Sequence, residues 1–240
     1  DTILNIENLY GSAYGDTLRG NASGNQLYGA AGNDLIYVGT GTASDRVDGG
    51  SGVDGVSYAY AGSRVNVNLN LTTAQATGGS GTDTILNVEN LYGSAYGDTL
   101  SGNASGNQLY GAAGNDILNG MGGNDTLNGG AGLDTFVFNT ALSAMGNKDT
   151  ITDFNVTDDT IQLENAIFTK LTTLGALATA NFCANATGIA TDSNDFICYN
   201  TTTGALSYDA DGSGAGASVA FAVLGTTVHP ALTAADFVIV

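Results

Sequence analysis

The sequence has few positive charges. Its 240 residues include only 5 lysines and arginines against 23 aspartates and glutamates, which leaves a formal net charge of −18. Because phosphate groups are bound by clustered Lys and Arg, this balance argues against a nucleic-acid partner and an anionic membrane surface. No run of about 18 apolar residues occurs, so the sequence predicts no membrane insertion.

The residues that usually perform catalysis are also scarce. His229 is the single histidine, and neither an HExxH nor a GxSxG motif occurs. We therefore expect no enzymatic activity from this chain. Cys183 and Cys198 are the only cysteines, and without a CxxC pair they support neither a zinc site nor redox catalysis. They form either a disulfide, which an extracellular setting permits, or two buried thiols.

Glycine and aspartate are abundant instead. The chain has 36 glycines, and aspartate outnumbers glutamate 20 to 3. High glycine content and high net charge both favour disorder, but 42% of the residues are hydrophobic, which is enough for a core at this length. Short carboxylates beside glycines are typical of tight turns.

A long duplication organises the first half of the chain. Residues 83–119 repeat residues 1–37 with 32 of 37 positions identical, at an offset of 82. Asp83 lies inside the run GGSGTDTIL, whereas its counterpart Asp1 is the first residue. We therefore expect the chain to be the C-terminal part of a longer polypeptide with further copies upstream.

A nine-residue period lies inside each copy, as in GAAGNDILN (111–119) and GGAGLDTFV (129–137). The sixth position is Asp or Asn, and the residue two places later is aliphatic or Phe; Asp1 and Ile3 also fit this pattern. The sixth-position residues are Asp16, Asn25, Asp34, Asp45, Asp54, Asp83, Asp98, Asn107, Asp116, Asp125 and Asp134.

This period predicts a solenoid. Glycines allow a tight turn, the last three residues form a short strand, and the middle side chain of that strand points inward. Two units make one coil of a right-handed parallel roll, so carboxylates and turn carbonyls stack along each edge. Such a file of oxygen atoms suits Ca²⁺, and we expect each ion to lie between turns one full coil apart.

The repeat GGxGxDxUx resembles that of the RTX (hemolysin-type) calcium-binding proteins, over residues 1–137. The resemblance implies an all-β fold, a parallel β-roll, with several Ca²⁺ ions bound by the aspartates and by backbone carbonyls four and two residues earlier. Asn25 and Asn107 depart from the pattern, and the GSAYGD turns lack the Gly-Gly pair. The carbonyl ligands so implied are those of Gly32, Gly50, Gly52, Gly79, Gly81, Ala112, Gly114, Met121, Gly123, Gly130 and Gly132.

Residues 58–77 interrupt the repeat. Val65, Val67, Leu69 and Leu71 alternate with asparagines, which predicts one long half-buried strand that pauses the roll, with the asparagines as a solvated face.

The region 138–240 is predicted to form a C-terminal antiparallel β domain that caps the roll. It resembles the C-terminal region of RTX proteins exported by type I secretion, including the serralysin-type proteases. The resemblance implies an uncleaved export signal, whose tip would be Asp236, Phe237, Val238, Ile239 and Val240, although a plain terminal strand also fits these residues.

Four further aspartates have two interpretations each. Asp149 and Asp153 either close the last site of the roll or are solvated turn carboxylates. Asp209 and Asp211 begin like an EF-hand loop but lack its Glu at position twelve, so they form either a calcium loop or an Asp/Gly turn.

These features predict a chain that folds when it meets calcium outside the cell. Glycine-rich chains lose much entropy on folding, and stacked carboxylates repel one another without a cation. We expect a secreted or cell-surface protein of a Gram-negative bacterium whose partner is the type I secretion machinery. Its parent is either a surface or matrix protein (an S-layer protein, an adhesin or a self-associating fibre) or an RTX lipase, protease or cytolysin.

Overall fold

The computed structural model describes residues 7–143 and 145–240, so the pattern at Asp1 and Ile3 lies outside the described residues. The described chain is built almost entirely of β-strands, as predicted, with two short 3-10 helices at Thr179–Asn181 and Ala234–Asp236. In this part of the chain, no helix has the length and apolarity needed to cross a membrane.

Two faces of parallel strands form the roll. Face one contains β2 (Thr17–Arg19), β4 (Leu35–Tyr37), β6 (Gly55–Ser57), β10 (Asn90–Tyr92), β12 (Gln108–Tyr110), β14 (Thr126–Asn128) and β16 (Asp149–Ile151). Face two contains β1 (Asn8–Tyr10), β3 (Gln26–Tyr28), β5 (Arg46–Asp48), β9 (Gly81–Leu86), β7 (Asn66–Asn68), β11 (Thr99–Ser101), β13 (Ile117–Asn119), β15 (Thr135–Phe138) and β17 (Thr160–Leu163).

The core lies between the two faces. Within each three-residue strand of the glycine repeat the middle side chain points inward, and the strand one coil later places its own middle residue directly beside it, as with Leu109 and Leu127. In β16 the third residue, Ile151, takes this place beside Leu127. Leu100, Leu109, Leu118 and Leu127 are all fully buried. The apolar position two places after each aspartate is thus confirmed as the core position.

The interruption at 58–80 is more than one long strand. Val65, Val67 and Leu69 are buried as expected, but Leu71 is exposed. Only β7 joins the roll, where it pairs with β11. The chain then turns back as β8 (Gln75–Gly78), which runs antiparallel to β9 and bridges to Val65.

This turn changes the face on which the repeat is displayed. Strands β7 and β9 follow one another on face two, whereas elsewhere in the roll consecutive strands alternate between faces. As a result β1 of the first copy lies on face two, and its sequence twin β10 lies on face one. The two stacked tyrosine pairs therefore lie on opposite faces of the roll, Tyr10 with Tyr28 on face two and Tyr92 with Tyr110 on face one.

The C-terminal region closes the roll. Strands β16 and β17 continue the parallel faces for one more coil. We expected the segments 149–154 and 158–163 to belong to the antiparallel cap, but they belong to the roll. The sheet of face one then extends through β22 (Val219–Leu224), β21 (Ala205–Tyr208), β20 (Ile197–Asn200) and β19 (Phe182–Asn185), and face two through β23 (Phe237–Ile239) and β18 (Gly175–Ala176). The division into a roll domain (1–137) and a capping domain (138–240) remains a prediction, because the strand ladder crosses it.

The two cysteines are joined. Cys183 and Cys198 lie directly opposite each other on the parallel strands β19 and β20, with Cα atoms 4.7 Å apart, and form a disulfide. This bond ties together the last two strands of the extended face.

Candidate metal-binding turns

Two rows of acidic and amide side chains run along the edges of the roll. The backbone N–H of a sixth-position residue donates to a side-chain oxygen one coil later, as Asp98 does to Oδ1 of Asp116 at 2.6 Å. The first row holds Asp16, Asp34, Asp54, Glu89, Asn107, Asp125 and Asp149. Its link between Glu89 and Asn107 differs, since Nδ2 of Asn107 donates to the carbonyl oxygen of Glu89 at 3.0 Å. The second holds Asn25, Asp45, Asp83, Asp98, Asp116, Asp134 and Asp159. It is interrupted between Asp83 and Asp98, where Oδ1 of Asp98 accepts the N–H of Val65 at 2.7 Å.

Two members of these rows were missed from the sequence. Oε2 of Glu89 accepts the N–H of Asp54 at 2.9 Å, and Oδ1 of Asp159 accepts the N–H of Asp134 at 3.0 Å. Each precedes a buried core residue by two places, Leu91 and Ile161, so the same spacing could have identified them. Glutamate at one site and the end of the glycine repeat at the other hid the pattern.

Asp149 and Asp153 also lie at the edge of the roll. Asp149 continues the first row by accepting the N–H of Asp125 at 3.1 Å. The two carboxylate oxygens of Asp153 accept the N–H groups of Gly129 and Gly130 at 3.0 and 2.8 Å, which anchors the last glycine turn. Both residues thus have structural contacts with the final turns, and their role as ligands remains a prediction.

Five turns have a distinct geometry, and we call them the open turns. They end at Asp34, Asp54, Asp116, Asp125 and Asp134. In each, the residues four and two places before the aspartate have positive φ, including the non-glycine residues Ala112 (81°) and Met121 (70°). The full set comprises Ala30, Gly32, Gly50, Gly52, Ala112, Gly114, Met121, Gly123, Gly130 and Gly132.

The same five aspartates each have one oxygen without a partner. Oδ1 accepts the N–H from the preceding coil, whereas Oδ2 is buried and has no hydrogen bond within the described part of the chain. A buried, unpaired carboxylate oxygen is costly, by several kcal/mol for a full charge. A cation bound there would remove this cost, so the donor atoms fit Ca²⁺, a hard ion that takes 6–8 oxygen ligands.

Backbone oxygens must supply most of such a site. No group of three or more His, Cys, Asp or Glu side chains converges on one point in the residues that the structure describes. Successive open turns, however, stack closely: a Cβ atom at Gly132 would overlap the carbonyl oxygen of Gly114, and one at Gly52 that of Gly32. A Cβ atom at Gly111 would meet both Oδ2 of Asp116 and the carbonyl oxygen of Gly129, so a carbonyl oxygen of the next coil lies near this unpaired carboxylate oxygen.

Burial raises the pKa of several aspartates in the two rows. It raises the pKa of Asp116 to about 7 and that of Asp125 to about 6. Burial and the nearby charge of Asp125 raise the pKa of Asp149 to about 8. In the absence of a cation, the folded edge therefore holds protons up to neutral pH.

In four other turns, which we call the capped turns, the sixth-position side chain accepts a hydrogen bond from the backbone of its own turn. They end at Asp16, Asn25, Asp98 and Asn107. In each, the side-chain oxygen accepts the backbone N–H of the residue four places earlier, at 2.5–2.8 Å. None of the residues four and two places before these side chains has positive φ.

The turns that end at Asp45 and Asp83 belong to neither class. Oδ2 of Asp83 accepts hydroxyl hydrogen bonds from Thr77 at 2.7 Å and Tyr58 at 3.3 Å, while Oδ1 accepts the N–H of Asp45. Gly81 has positive φ, but Gly79 does not. Burial raises the pKa of Asp45 to about 7. The roles of Asp45, Asp83, Gly79 and Gly81 as ligands remain predictions.

The other two candidate sites lie in the C-terminal region. Asp209 accepts the N–H of Asp211 at 3.3 Å, and Asp211 accepts that of Gly216 at 2.9 Å, which is the pattern of a local turn. At the C-terminus, Asp236 caps the second 3-10 helix through Thr233. Phe237 and Ile239 are buried, Val238 is half-buried and Val240 is exposed, so all but the last residue of the predicted export tip is packed into the fold.

Two known family models match the sequence of the chain. The family model described as "Peptidase M10 serralysin C terminal" matches residues 28–239, and the model of the RTX calcium-binding nonapeptide repeat (4 copies) matches residues 10–43. A search of curated protein sequences finds no match. Among solved structures, the extracellular lipase LipA from Serratia marcescens aligns over the whole chain at 14% identity, with a TM-score of 0.27. The chain spans 41% of that lipase.

Proposed function

Because the chain belongs to the family of peptidase M10 serralysin C-terminal domains, we propose that it is the calcium-folded export module of a larger secreted protein. It carries RTX calcium-binding repeats, and proteins with these domains are secreted by Gram-negative bacteria. The observation that carries the proposal is the set of five buried, unpaired carboxylate oxygens on positive-φ turns. The module itself is non-catalytic.

Calcium would stabilise the fold by pairing with these oxygens. At a calcium concentration tenfold above Kd, each independent site adds about 1.4 kcal/mol. Three such sites would add roughly 4 kcal/mol, a large part of the 5–15 kcal/mol that stabilises a typical domain. Extracellular calcium modules typically have Kd values of roughly 10⁻⁴–10⁻³ M, so the low calcium of the cytosol would leave the chain unfolded.

The position of the export tip supports the same order of events. Phe237 and Ile239 pack against the core, and β23 is held between β17 and β18. A secretion machine would therefore find this segment accessible only before the chain folds. Calcium outside the cell would then bury the signal and complete the fold.

The test is a far-UV circular dichroism titration of the chain in EDTA with Ca²⁺, with Mg²⁺ as the control. We expect a transition from coil to β-structure at sub-millimolar to millimolar Ca²⁺ and none with Mg²⁺, which prefers rigid octahedral sites. A β spectrum that is already complete in EDTA would overturn the proposal, because the fold would then not depend on the metal.

Two parent proteins are supported by different observations. The near-identical 82-residue copies favour a surface or matrix protein that repeats this unit, such as an S-layer protein, an adhesin or a self-associating fibre. The family match favours a secreted enzyme that carries the module at its C-terminal end. Of these two alternatives, we propose that the parent is the surface or matrix protein. The mass and sequence of the secreted full-length protein decide: repeated 82-residue units support it, and a domain with HExxH or GxSxG overturns it.

A further inference from the structure

We propose that the roll alternates between turns that require calcium and turns that replace the metal with their own hydrogen bonds. The capped turns, which end at Asp16, Asn25, Asp98 and Asn107, would be rungs that take no calcium. Calcium would bind where open turns lie. This inference rests on the proposed function, because it assumes that the open turns bind calcium.

In a capped turn, the turn's own backbone N–H donates to the side-chain oxygen, whereas the corresponding oxygen of an open turn has no hydrogen bond. At Asp98, the N–H of Ser94 donates to Oδ2 at 2.5 Å, and the Ser94 hydroxyl donates to Oδ1 at 2.8 Å. At Asp116, one coil later in the same row, Oδ2 is buried and unpaired. The two aspartates are equivalent in position, and only one leaves an oxygen for a cation.

The charge of the sixth-position side chain gives a second reason to expect no calcium at the capped turns. Two of the four capped turns have a neutral amide at the sixth position, and the hydrogen bond is unchanged: Asn103 N–H donates to Oδ1 of Asn107 at 2.8 Å. The side chain of Asn103 continues the turn by accepting the N–H of Ser105 at 2.8 Å. A turn that closes equally well without a negative charge has little to attract Ca²⁺, whose sites are tuned by ligand charge.

The backbone gives a third reason. The residues of the capped turns that correspond to the positive-φ pairs, such as Ser94 and Tyr96, keep negative φ. Positive φ reverses the direction of the peptide groups in the open turns. The capped turns therefore do not present their carbonyls in the open arrangement.

Neighbouring open turns then define where calcium would bind. The turns ending at Asp34 and Asp54 stack on each other, as do those ending at Asp116 and Asp134. The turn ending at Asp125 has the capped turn of Asn107 on one side and Asp149 on the other. We assign calcium to these three places.

A count of bound ions tests the assignment. Native mass spectrometry or equilibrium dialysis at saturating Ca²⁺ would compare the wild-type chain with Asp98→Asn and Asp116→Asn. These aspartates are both buried and adjacent in one row. We expect Asp98→Asn to bind as many ions as wild type and Asp116→Asn to bind at least one fewer, with circular dichroism verifying that each variant is folded.

A variant that gains an ion makes the test independent of lost stability. Asn103→Gly, Ser105→Gly and Asn107→Asp together convert GNASGN into GGAGGD, and Gly122 N–H already joins this turn to the next at Asn103 O, 3.0 Å away. We expect the triple variant to bind one ion more than wild type. The single variant Asn107→Asp, in which the cap remains, should bind the wild-type number.

The outcomes separate the two proposals. If the wild-type chain binds no calcium, the proposed function fails. If wild type binds calcium but Asp98→Asn loses as many ions as Asp116→Asn, or the triple variant gains none, the division into capped and open turns is wrong.

Discussion

At the scale of single residues, the aspartates of the edge rows combine two opposed tendencies. Burial favours the protonated form of Asp116, Asp125 and Asp149, whereas the edge positions in which they lie suit a charged form paired with a cation. Oδ2 of Asp116 shows this conflict directly, since it is buried and lacks any hydrogen bond in the described chain. Protons and calcium therefore compete for the same oxygens.

This competition predicts a pH dependence of the calcium-free fold. The pKa values of Asp116, Asp125 and Asp149 are raised by burial to about 7, 6 and 8, from 3.8 in the unfolded chain. The folded state then binds more protons than the unfolded state between about pH 4 and pH 8, so the free energy of unfolding decreases as pH rises through this range. Because we propose that the metal-free chain is largely coil, the sucrose concentration needed to fold it in EDTA at pH 5 and at pH 8 measures this difference.

We expect greater stability at pH 5 than at pH 8 in EDTA, and a smaller difference or its reversal with saturating Ca²⁺. Equal stability at both pH values in EDTA would show that these carboxyls are not buried without the metal.

The residue positions were largely predictable, and their chemistry was not. The spacing of aspartate and core residue located Asp116 and Leu118 directly. The distinction between Asp98 and Asp116 depends on which backbone N–H reaches the carboxylate. Its signal in the sequence is the residue two places before the aspartate, which is Tyr96 in the first turn and Gly114 in the second. Glu89 was not recognised as a member of the row because Asn87 and Val88 shift the nine-residue period and because its side chain is longer than that of aspartate.

At the scale of the elements, each three-residue strand of the glycine repeat contributes its middle side chain to the apolar core. Because the strand has only three residues, its contribution to folding is concentrated at the middle position. The neighbours Ile117 and Leu118 make this contrast within β13, with 43% and 0% exposure.

Truncation of these two residues should therefore have very different effects. Leu118→Ala leaves a cavity between Leu100 and Phe136 and should lower the free energy of unfolding by about 2–5 kcal/mol. Ile117→Ala, the matched control, should change it by less than about 1 kcal/mol. Urea denaturation at saturating Ca²⁺ compares them, and similar losses would contradict the inward orientation of the middle residue.

The partners of the strands were harder to predict than the strands. The alternation at Val65, Val67 and Leu69 indicated a strand but contained no information on where it pairs. Hairpin formation by β8 depends on contacts with β9 and Val65 that local spacing does not encode. Likewise, β16 and β17 lack the glycine turns but extend the parallel faces, because their core residues Ile151 and Ile161 keep the register.

At the scale of the whole molecule, the roll and the C-terminal strands share continuous sheets, and their stabilising interactions differ. The roll has its edge carboxylates, whereas the far end of the extended sheet has the disulfide between Cys183 and Cys198. Closing a 15-residue loop contributes about 3 kcal/mol in the chain-entropy account.

Removal of the disulfide should thus act separately from removal of calcium. We expect Cys183→Ala with Cys198→Ala to lower the thermal midpoint at saturating Ca²⁺ while the number of bound ions stays the same. Differential scanning calorimetry and native mass spectrometry measure the two quantities, with untreated wild type as reference. A loss of ions in the double variant would show that the end of the sheet controls the edge turns.

The reversal of the chain at β8 gives one sequence two orientations. Because it shifts the second copy by one face, the exposed pair Tyr10–Tyr28 and the pair Tyr92–Tyr110 look in opposite directions. A flat object can meet only one of these pairs at a time. Two successive copies of one sequence therefore present their tyrosine pairs on opposite faces, and a short hairpin, rather than any change in the repeat, sets this arrangement.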